Sequence, residues 1–138
     1  MAHVNMTWQE GLVFEVQQDG HTYLIDGGVG KRGVTPKALL LTSLAGCAGM
    51  DVAALLKKMR VENYKMSIDV KATLSDEHPK VYTDIELIFN LKGEVIPPDK
   101  AGKAVDLSIN RYCPVYAMLS KAATITTKLY INNEEIDL

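Results

Sequence analysis

The run from Pro36 to Arg60 constrains the fold most, because it has no internal proline and is apolar on nearly every side until Lys57. Thr35 can cap a helix here and Pro36 suits its first turn, while the terminal cations favour the negative end of the helix dipole. Such a helix extends about 37 Å at ~1.5 Å per residue. Because one small sheet covers only one face, we expect a partner subunit to cover the other.

Length and composition indicate one globular domain, residues 1–138. The chain is 47% hydrophobic and 23% charged, which is ordinary for a protein with a real core, and its length is usual for one domain. The formal net charge of −2 provides no basic surface that could release counterions from DNA or RNA. We therefore expect no nucleic-acid partner.

The N-terminus predicts a cytoplasmic protein, since MAHVNMTWQEGLVFEV lacks the basic, apolar and small-residue regions of a secretory signal. The most apolar stretch, residues 38–50, is about 13 residues long, whereas a membrane span needs roughly 20. We therefore expect no membrane association. In a reducing compartment the two cysteines are core thiols, metal ligands or reactive groups rather than a structural disulfide.

Alternation and turn signals place strands on both sides of the long helix, which indicates an α+β fold. The predicted strands are residues 3–8, 12–17, 21–26, 65–74, 81–91 and 124–133. Asp19-Gly20 is a two-residue hairpin signal, because both turn positions need positive φ. Pro97-Pro98 opens a second helix, which Pro114 interrupts, and a short helix over residues 115–122 follows.

Cys47 lies on the long helix between two other polar residues. Ser43, Cys47 and Asp51 share one helical face through their four-residue spacing. Gly46 and Gly49 lie beside the cysteine, and each lets another backbone or a small substrate approach closely. Considered on the helix alone, Cys47 as an inert core thiol is the commoner situation.

Cys113 immediately precedes Pro114, at the point where a helix restarts. Free N–H groups and the positive dipole end there predict a lowered pKa for Cys113, and Arg111 would add to that effect. The alternative is a simple kink filled by a small apolar side chain. A disulfide between the two cysteines would need Cα atoms within about 7 Å, which the sequence leaves open.

Other motifs predict little chemistry. Residues 28–33 match G-x-G-x-x-G, but the helix begins after the third glycine and the preceding strand belongs to a hairpin, so the match is accidental. Lys31 and Arg32 either attract an anion at the helix N-terminus or belong to a plain loop. None of the three histidines has metal-ligand spacing to a cysteine, so we expect no metal and no organic cofactor.

Two blocks together resemble a known family: TPKALLLTSLAGCAGMDVAALLKKMR at residues 35–60 and NRYCPV at residues 110–115. They resemble the OsmC/Ohr family of organic hydroperoxide resistance and osmotically inducible stress-response proteins. The G-C-x-x-M-D-V and Y-C-x-V stretches resemble its general OsmC-like branch. The resemblance spans nearly the whole chain. It implies an intertwined homodimer in which antiparallel sheets wrap around long central helices.

The resemblance also implies a thiol-dependent peroxidase that acts on small organic hydroperoxides. Cys47 would become a sulfenic acid, Cys113 would resolve it as a disulfide, and a dithiol would reduce that disulfide. Peroxidases of the family carry a glutamate just after the proline that opens the helix, paired with an arginine, but Lys37 stands there in this chain. The candidates for activating the thiol or orienting the substrate are Arg32, Lys37, Arg111 and Asp51.

Three functions therefore remain open. The presence of both cysteines favours the peroxidase. The absence of the acid favours a non-catalytic protein that binds a lipophilic or reactive small molecule in the dimer cleft. A redox sensor that changes partners when the disulfide forms is the third. An ionised Asp51 close to Cys47 would oppose thiolate formation.

Overall fold

A computed structural model describes residues 1–28 and 32–138. Lys31, which with Arg32 was expected either to attract an anion or to belong to a plain loop, lies outside the described residues. The chain forms two compact units, Met1–Thr42 and Ser43–Leu138. The single domain predicted over residues 1–138 stays a prediction.

The first unit contains a three-stranded antiparallel sheet. Its strands are β1 (Asn5–Glu10), β2 (Val13–Gln18) and β3 (His21–Asp26), in that order. Asp19 and Gly20 join β2 to β3 with φ of 50° and 78°, the positive angles that a tight hairpin turn requires. The predicted hairpin is therefore confirmed.

The long helix α1 spans Pro36–Lys58 and ends with two lysines in its last turn. Its fully buried side chains recur every four residues and so form one stripe: Leu44, Ala48, Val52 and Leu56. Other apolar side chains of the helix stay outside this stripe, and Met50 is 75% exposed. The single chain thus covers one face of α1 and leaves another uncovered.

By length and composition α1 meets the requirement for a membrane span, unlike the shorter apolar run counted from the sequence. Its most apolar 18-residue window has a mean hydropathy of 1.8, and 28% of that window is buried. One such helix is weak evidence for a membrane, because core helices of soluble proteins have the same composition.

The second unit contains a four-stranded sheet in the order β4 (Tyr64–Leu74), β5 (Tyr82–Gly93), β6 (Thr124–Ile131) and β7 (Glu134–Ile136). The α+β fold with two sheets and a long helix is confirmed. One pairing differs from the expected antiparallel arrangement, because β5 and β6 run parallel. The helices between these two strands form a crossover, which brings the chain back to the starting edge before β6 begins.

The strand predicted over residues 124–133 ends earlier than expected. Asn132 and Asn133 have φ of 49° and 68° and turn the chain into β7, which pairs antiparallel with β6. Asparagine tolerates this left-handed conformation better than most residues. This second hairpin was not predicted, although the pair Asn132-Asn133 is a turn signal.

Between β5 and β6 lie three helical segments. They are α2 (Pro98–Leu107), a π-helical turn (Ser108–Tyr112) and α3 (Pro114–Leu119). Cys113, between the last two, has extended angles, φ −77° and ψ 105°, as a residue before proline should. The predicted break is therefore confirmed, while α3 begins and ends earlier than the predicted helix.

Gly49 is a point of close approach between α1 and β4. A Cβ built on it would lie 2.5 Å from Cδ1 of Ile68, whereas a Cβ on Gly46 would meet nothing within 4 Å. Among the described residues, the packing reason expected for these glycines therefore applies at Gly49. The open space that these residues leave beside Gly46 keeps the other expectation, access for a small substrate, as a prediction.

Candidate functional site

Three predicted site residues meet in the second unit. The Sγ atoms of Cys47 and Cys113 and a carboxylate oxygen of Asp51 all lie within 4.8 Å of one another. Cys47 and Asp51 project from successive turns of α1, and Cys113 comes from the break before α3. Both cysteines are free thiols; Cys47 is half-buried and Cys113 is 3% exposed. We call these three residues the cysteine cluster.

The π-helical turn and Pro114 together place Cys113. The Cys113 N–H donates to the Ser108 carbonyl at 2.8 Å, which closes the wide turn. Its Sγ then caps α3 by accepting a hydrogen bond from the Tyr116 N–H at 3.3 Å. Because Pro114 occupies the first position of α3, no backbone donor is lost there. Such π-helical turns occur frequently at functional sites.

Ser108 lies directly behind the cysteine cluster. Its side chain is fully buried, and its Oγ lies 3.2 Å from the Ala48 carbonyl oxygen and 3.3 Å from Asp51 Oδ2. A serine hydroxyl carries one proton, so it donates to one of these acceptors at a time. Either hydrogen bond ties the π-helical turn to α1, and the second one orients the Asp51 carboxylate.

Ser108 did not emerge as a site residue from the sequence. Its signal is a polar residue that continues the buried face of α2, one turn beyond Ala104 and Val105, both of which are fully buried. A buried hydroxyl on an apolar face requires a hydrogen-bond partner. That requirement would have identified Ser108 as a residue to examine.

Burial raises the pKa of Cys113 from its ordinary value of 9.0 to about 11. The N–H groups of Tyr116 and Val115 act in the opposite direction, while the hydrogen bond and charge of Cys47 raise the pKa further. The prediction of a lowered pKa is therefore wrong. The helix-end donors do face the sulfur, but removal of the thiolate from water outweighs them.

A shallow cavity of about 330 Å³ adjoins the cysteine cluster at Asp51. Its lining consists of Asp51, Ala54, Leu55, Lys58 and Tyr112. It combines apolar methyl groups with an acid, an amine and a phenol, so a small molecule with one polar end could enter it. A second cavity, of about 720 Å³, is lined by residues 62–65 and 92–95 and contains no cysteine.

The remaining candidate residues are not part of the cysteine cluster. Arg32 lies in the first unit, where it is exposed and forms an ion pair with Glu10 at 2.7 Å. Lys37 is half-buried in the first turn of α1, also in the first unit. Arg111 is exposed, and its guanidinium lies 5.6 Å from the centroid of the Tyr112 ring. Their predicted roles stay predictions.

Known proteins resemble this chain over most of its length. Residues 28–128 match the family described as OsmC-like protein. Protein YhfA of Escherichia coli K12 is 34% identical over 120 residues, which cover 86% of this chain and 90% of YhfA.

Solved structures also share the fold. A hypothetical protein from Aquifex aeolicus VF5 has a TM-score of 0.86 and 27% identity, with 96% of each chain covered. The organic hydroperoxide resistance protein OhrB of Bacillus subtilis has a TM-score of 0.63 and 17% identity, covering 94% of this chain and 98% of its own. At that identity OhrB shares the fold alone.

Proposed function

This chain belongs to the OsmC-like protein family, and we propose that it is a thiol-dependent peroxidase that reduces small organic hydroperoxides. The observation that carries this proposal is the meeting of Cys47 and Cys113, whose sulfur atoms lie within 4.8 Å although they come from separate elements. The proposed substrate class follows the name of OhrB, an organic hydroperoxide resistance protein with the same fold.

The different surroundings of the two thiols support different roles. Cys47 is half-buried, so it is the more exposed of the two thiols, and it lies close to Asp51, which lines the adjoining cavity. Cys113 is almost fully buried and its pKa is raised to about 11, so it stays a protonated thiol at neutral pH. We therefore assign the attack to the more exposed Cys47 and the resolution of the sulfenic acid to the buried Cys113.

The reaction has three balanced steps. The Cys47 sulfur attacks the peroxide oxygen; the O–O bond breaks, Cys47 becomes a sulfenic acid, and the organic part leaves as an alcohol that takes up the thiol proton. The Cys113 thiol then displaces water from the sulfenic acid and forms the disulfide. A dithiol reductant, itself oxidised to a disulfide, restores both thiols.

Asp51 is our candidate for the proton transfer in the first step, for which it would have to move within hydrogen-bond distance of the Cys47 sulfur or act through one water. Its carboxylate lies within 4.8 Å of both sulfurs, and Ser108 holds one of its oxygens. We assign it the role of accepting the Cys47 proton during attack and delivering it to the departing alkoxide. Asp51 would thereby perform part of the role that the family resemblance implies for a glutamate. In this chain Lys37 stands where that glutamate would follow the helix-opening proline.

The same proposal includes a homodimer in the cytoplasm, where dithiol reductants are available. The uncovered apolar face of α1 supports it, because only 28% of the most apolar window is buried within one chain. A second copy could cover that surface. Its burial would stabilise the dimer by about 25 cal/mol for each Å² of apolar surface removed from water.

A non-catalytic binding protein is the second candidate function. The observation that favours it is Asp51 itself, because a carboxylate beside two thiols opposes formation of the reactive thiolate. In that case the cavity beside Tyr112 would hold a small molecule that is not turned over.

Thiol counting separates these candidates. Reduced protein is treated with cumene hydroperoxide or hydrogen peroxide, and free thiols and intact mass are then measured. If the protein is a peroxidase, each chain should lose two free thiols and two hydrogen atoms in mass, and this loss should be faster with the organic peroxide. Addition of a dithiol should restore both thiols. Survival of both thiols in excess cumene hydroperoxide would overturn the peroxidase and leave the binding protein.

A further inference from the structure

We propose that the reduced protein binds a single zinc ion through Sγ of Cys47, a carboxylate oxygen of Asp51 and Sγ of Cys113. The sequence predicted no metal, because no histidine has metal-ligand spacing to a cysteine. The ligand set becomes visible only in the fold, where α1 supplies two residues and the break before α3 supplies the third. The zinc ion would use the same two sulfurs as the proposed peroxidase, but its binding can be measured without any peroxide.

The spacing of the three ligand atoms suits one tetrahedral ion. With bonds of about 2.3 Å to sulfur and 2.0–2.2 Å to oxygen, ligand atoms around zinc lie roughly 3.5–3.8 Å apart. The three atoms here lie within 4.8 Å of one another. Side-chain rotations that move each atom by about 1 Å or less therefore bring all three to bonding distance.

The donor types favour zinc over hard cations. Thiolates select zinc and other thiophilic metals, whereas magnesium and calcium prefer all-oxygen sites. The set supplies three protein ligands, so a water molecule would take the fourth position.

Ser108 supplies the outer contact that a metal-binding carboxylate usually has. Its hydroxyl lies 3.3 Å from Asp51 Oδ2 and is itself fully buried. Such contacts orient the ligating oxygen, and their loss typically weakens metal binding about 10–100-fold. The structure therefore contains the three ligands of the proposed site and also a hydroxyl group that can orient one of them.

Zinc binding and disulfide formation exclude each other at this site. Binding converts two thiols to thiolates and releases two protons, with no change in oxidation state. Oxidation joins the same two sulfurs, removes two electrons and leaves no thiolate for the ion. The cysteine cluster is thus a zinc site that an oxidant, such as the organic hydroperoxide proposed above, would empty by forming the disulfide.

Spectroscopy with cobalt and competition with zinc test this directly. Reduced, metal-free protein is titrated with Co²⁺, which should produce thiolate-to-cobalt charge-transfer absorption that saturates at one ion per chain. Zn²⁺ should displace the cobalt and slow alkylation of the thiols by iodoacetamide. Prior conversion to the disulfide should abolish all three signals. Absence of the charge-transfer band from the reduced protein would overturn the proposal.

Variants establish which side chains bind. Asp51→Asn keeps both thiols but should weaken zinc affinity about tenfold or more, whereas Asp137→Asn, which changes an exposed carboxylate near the C-terminus, should leave it unchanged. Ser108→Ala should weaken it about tenfold with both thiols still present. Circular dichroism checks that each variant is folded. Wild-type affinity in folded Asp51→Asn would remove Asp51 from the site and overturn the three-ligand assignment.

Discussion

The hydroxyl of Ser108 lies 3.3 Å from Oδ2 of Asp51, and this contact links the π-helical turn to the helix that carries Cys47. The same hydroxyl lies 3.2 Å from the Ala48 carbonyl oxygen. This fully buried side chain thereby fixes the π-helical turn, which leads into Cys113, against α1, which carries Cys47 and Asp51. Its removal should affect the chemistry of the thiols without touching either sulfur.

We expect Ser108→Ala to slow the oxidation of Cys47 by cumene hydroperoxide about tenfold, because Asp51 would no longer be oriented for proton transfer. The variant should also lose about 1–2 kcal/mol of unfolding free energy, since a buried hydrogen bond disappears. Stopped-flow thiol loss and urea unfolding measure these effects. Ser67→Ala, on the exposed side of β4, is the matched control. An unchanged oxidation rate in folded Ser108→Ala would show that Asp51 needs no such support.

The two cysteines should respond differently to replacement. Cys113→Ser should accumulate a Cys47 sulfenic acid that dimedone traps, because the resolving thiol is gone. Cys47→Ser should consume almost no peroxide, because Cys113 is 3% exposed and its protonated thiol is a poor nucleophile. Intact mass and peroxide consumption follow both reactions. Wild-type consumption by Cys47→Ser would reverse the assigned roles.

Alkaline pH should destabilise the folded protein through Cys113. Its pKa is raised to about 11 in the fold, against an ordinary value of 9.0, so the stabilisation is fully present below about pH 9 and is lost as pH rises through 11. Relative to Cys113→Ala, the wild-type unfolding free energy should fall by up to about 2 kcal/mol over this interval. Urea unfolding under reducing conditions measures it. A difference that grows with pH would contradict the raised pKa.

Local spacing predicted part of the site correctly. The four-residue interval between Cys47 and Asp51 placed both on one face of α1, where the structure has them. Asp19-Gly20 and Pro114 likewise marked a turn and a break that the fold contains. Each of these features depends on residues adjacent in the chain or one helical turn apart, which is why sequence sufficed.

The features that sequence could not predict depend on tertiary contacts. The pKa of Cys113 rises because the folded chain excludes water from its sulfur, a property absent from the local pattern of helix-end donors. Strand alternation likewise carries no information on direction, so the parallel pairing of β5 with β6 depends on the intervening crossover. Ser108 was missed because serine is mostly a surface residue.

The proposed homodimer can be tested at Met50, an apolar side chain on α1 that is 75% exposed. We expect Met50→Glu to shift the protein from dimer to monomer at micromolar concentration, because a second copy would have to bury the new charge without a partner. Light scattering measures the mass of each variant.

Val95→Glu is the control for this test, since Val95 is 79% exposed and lies outside α1. It introduces the same charge at a comparably exposed apolar position, so it separates an effect on the α1 surface from a general effect of net charge. We expect it to remain dimeric. A wild-type protein that is monomeric at micromolar concentration would contradict the dimer outright. Equal dissociation by both substitutions would contradict its assignment to the uncovered face of α1.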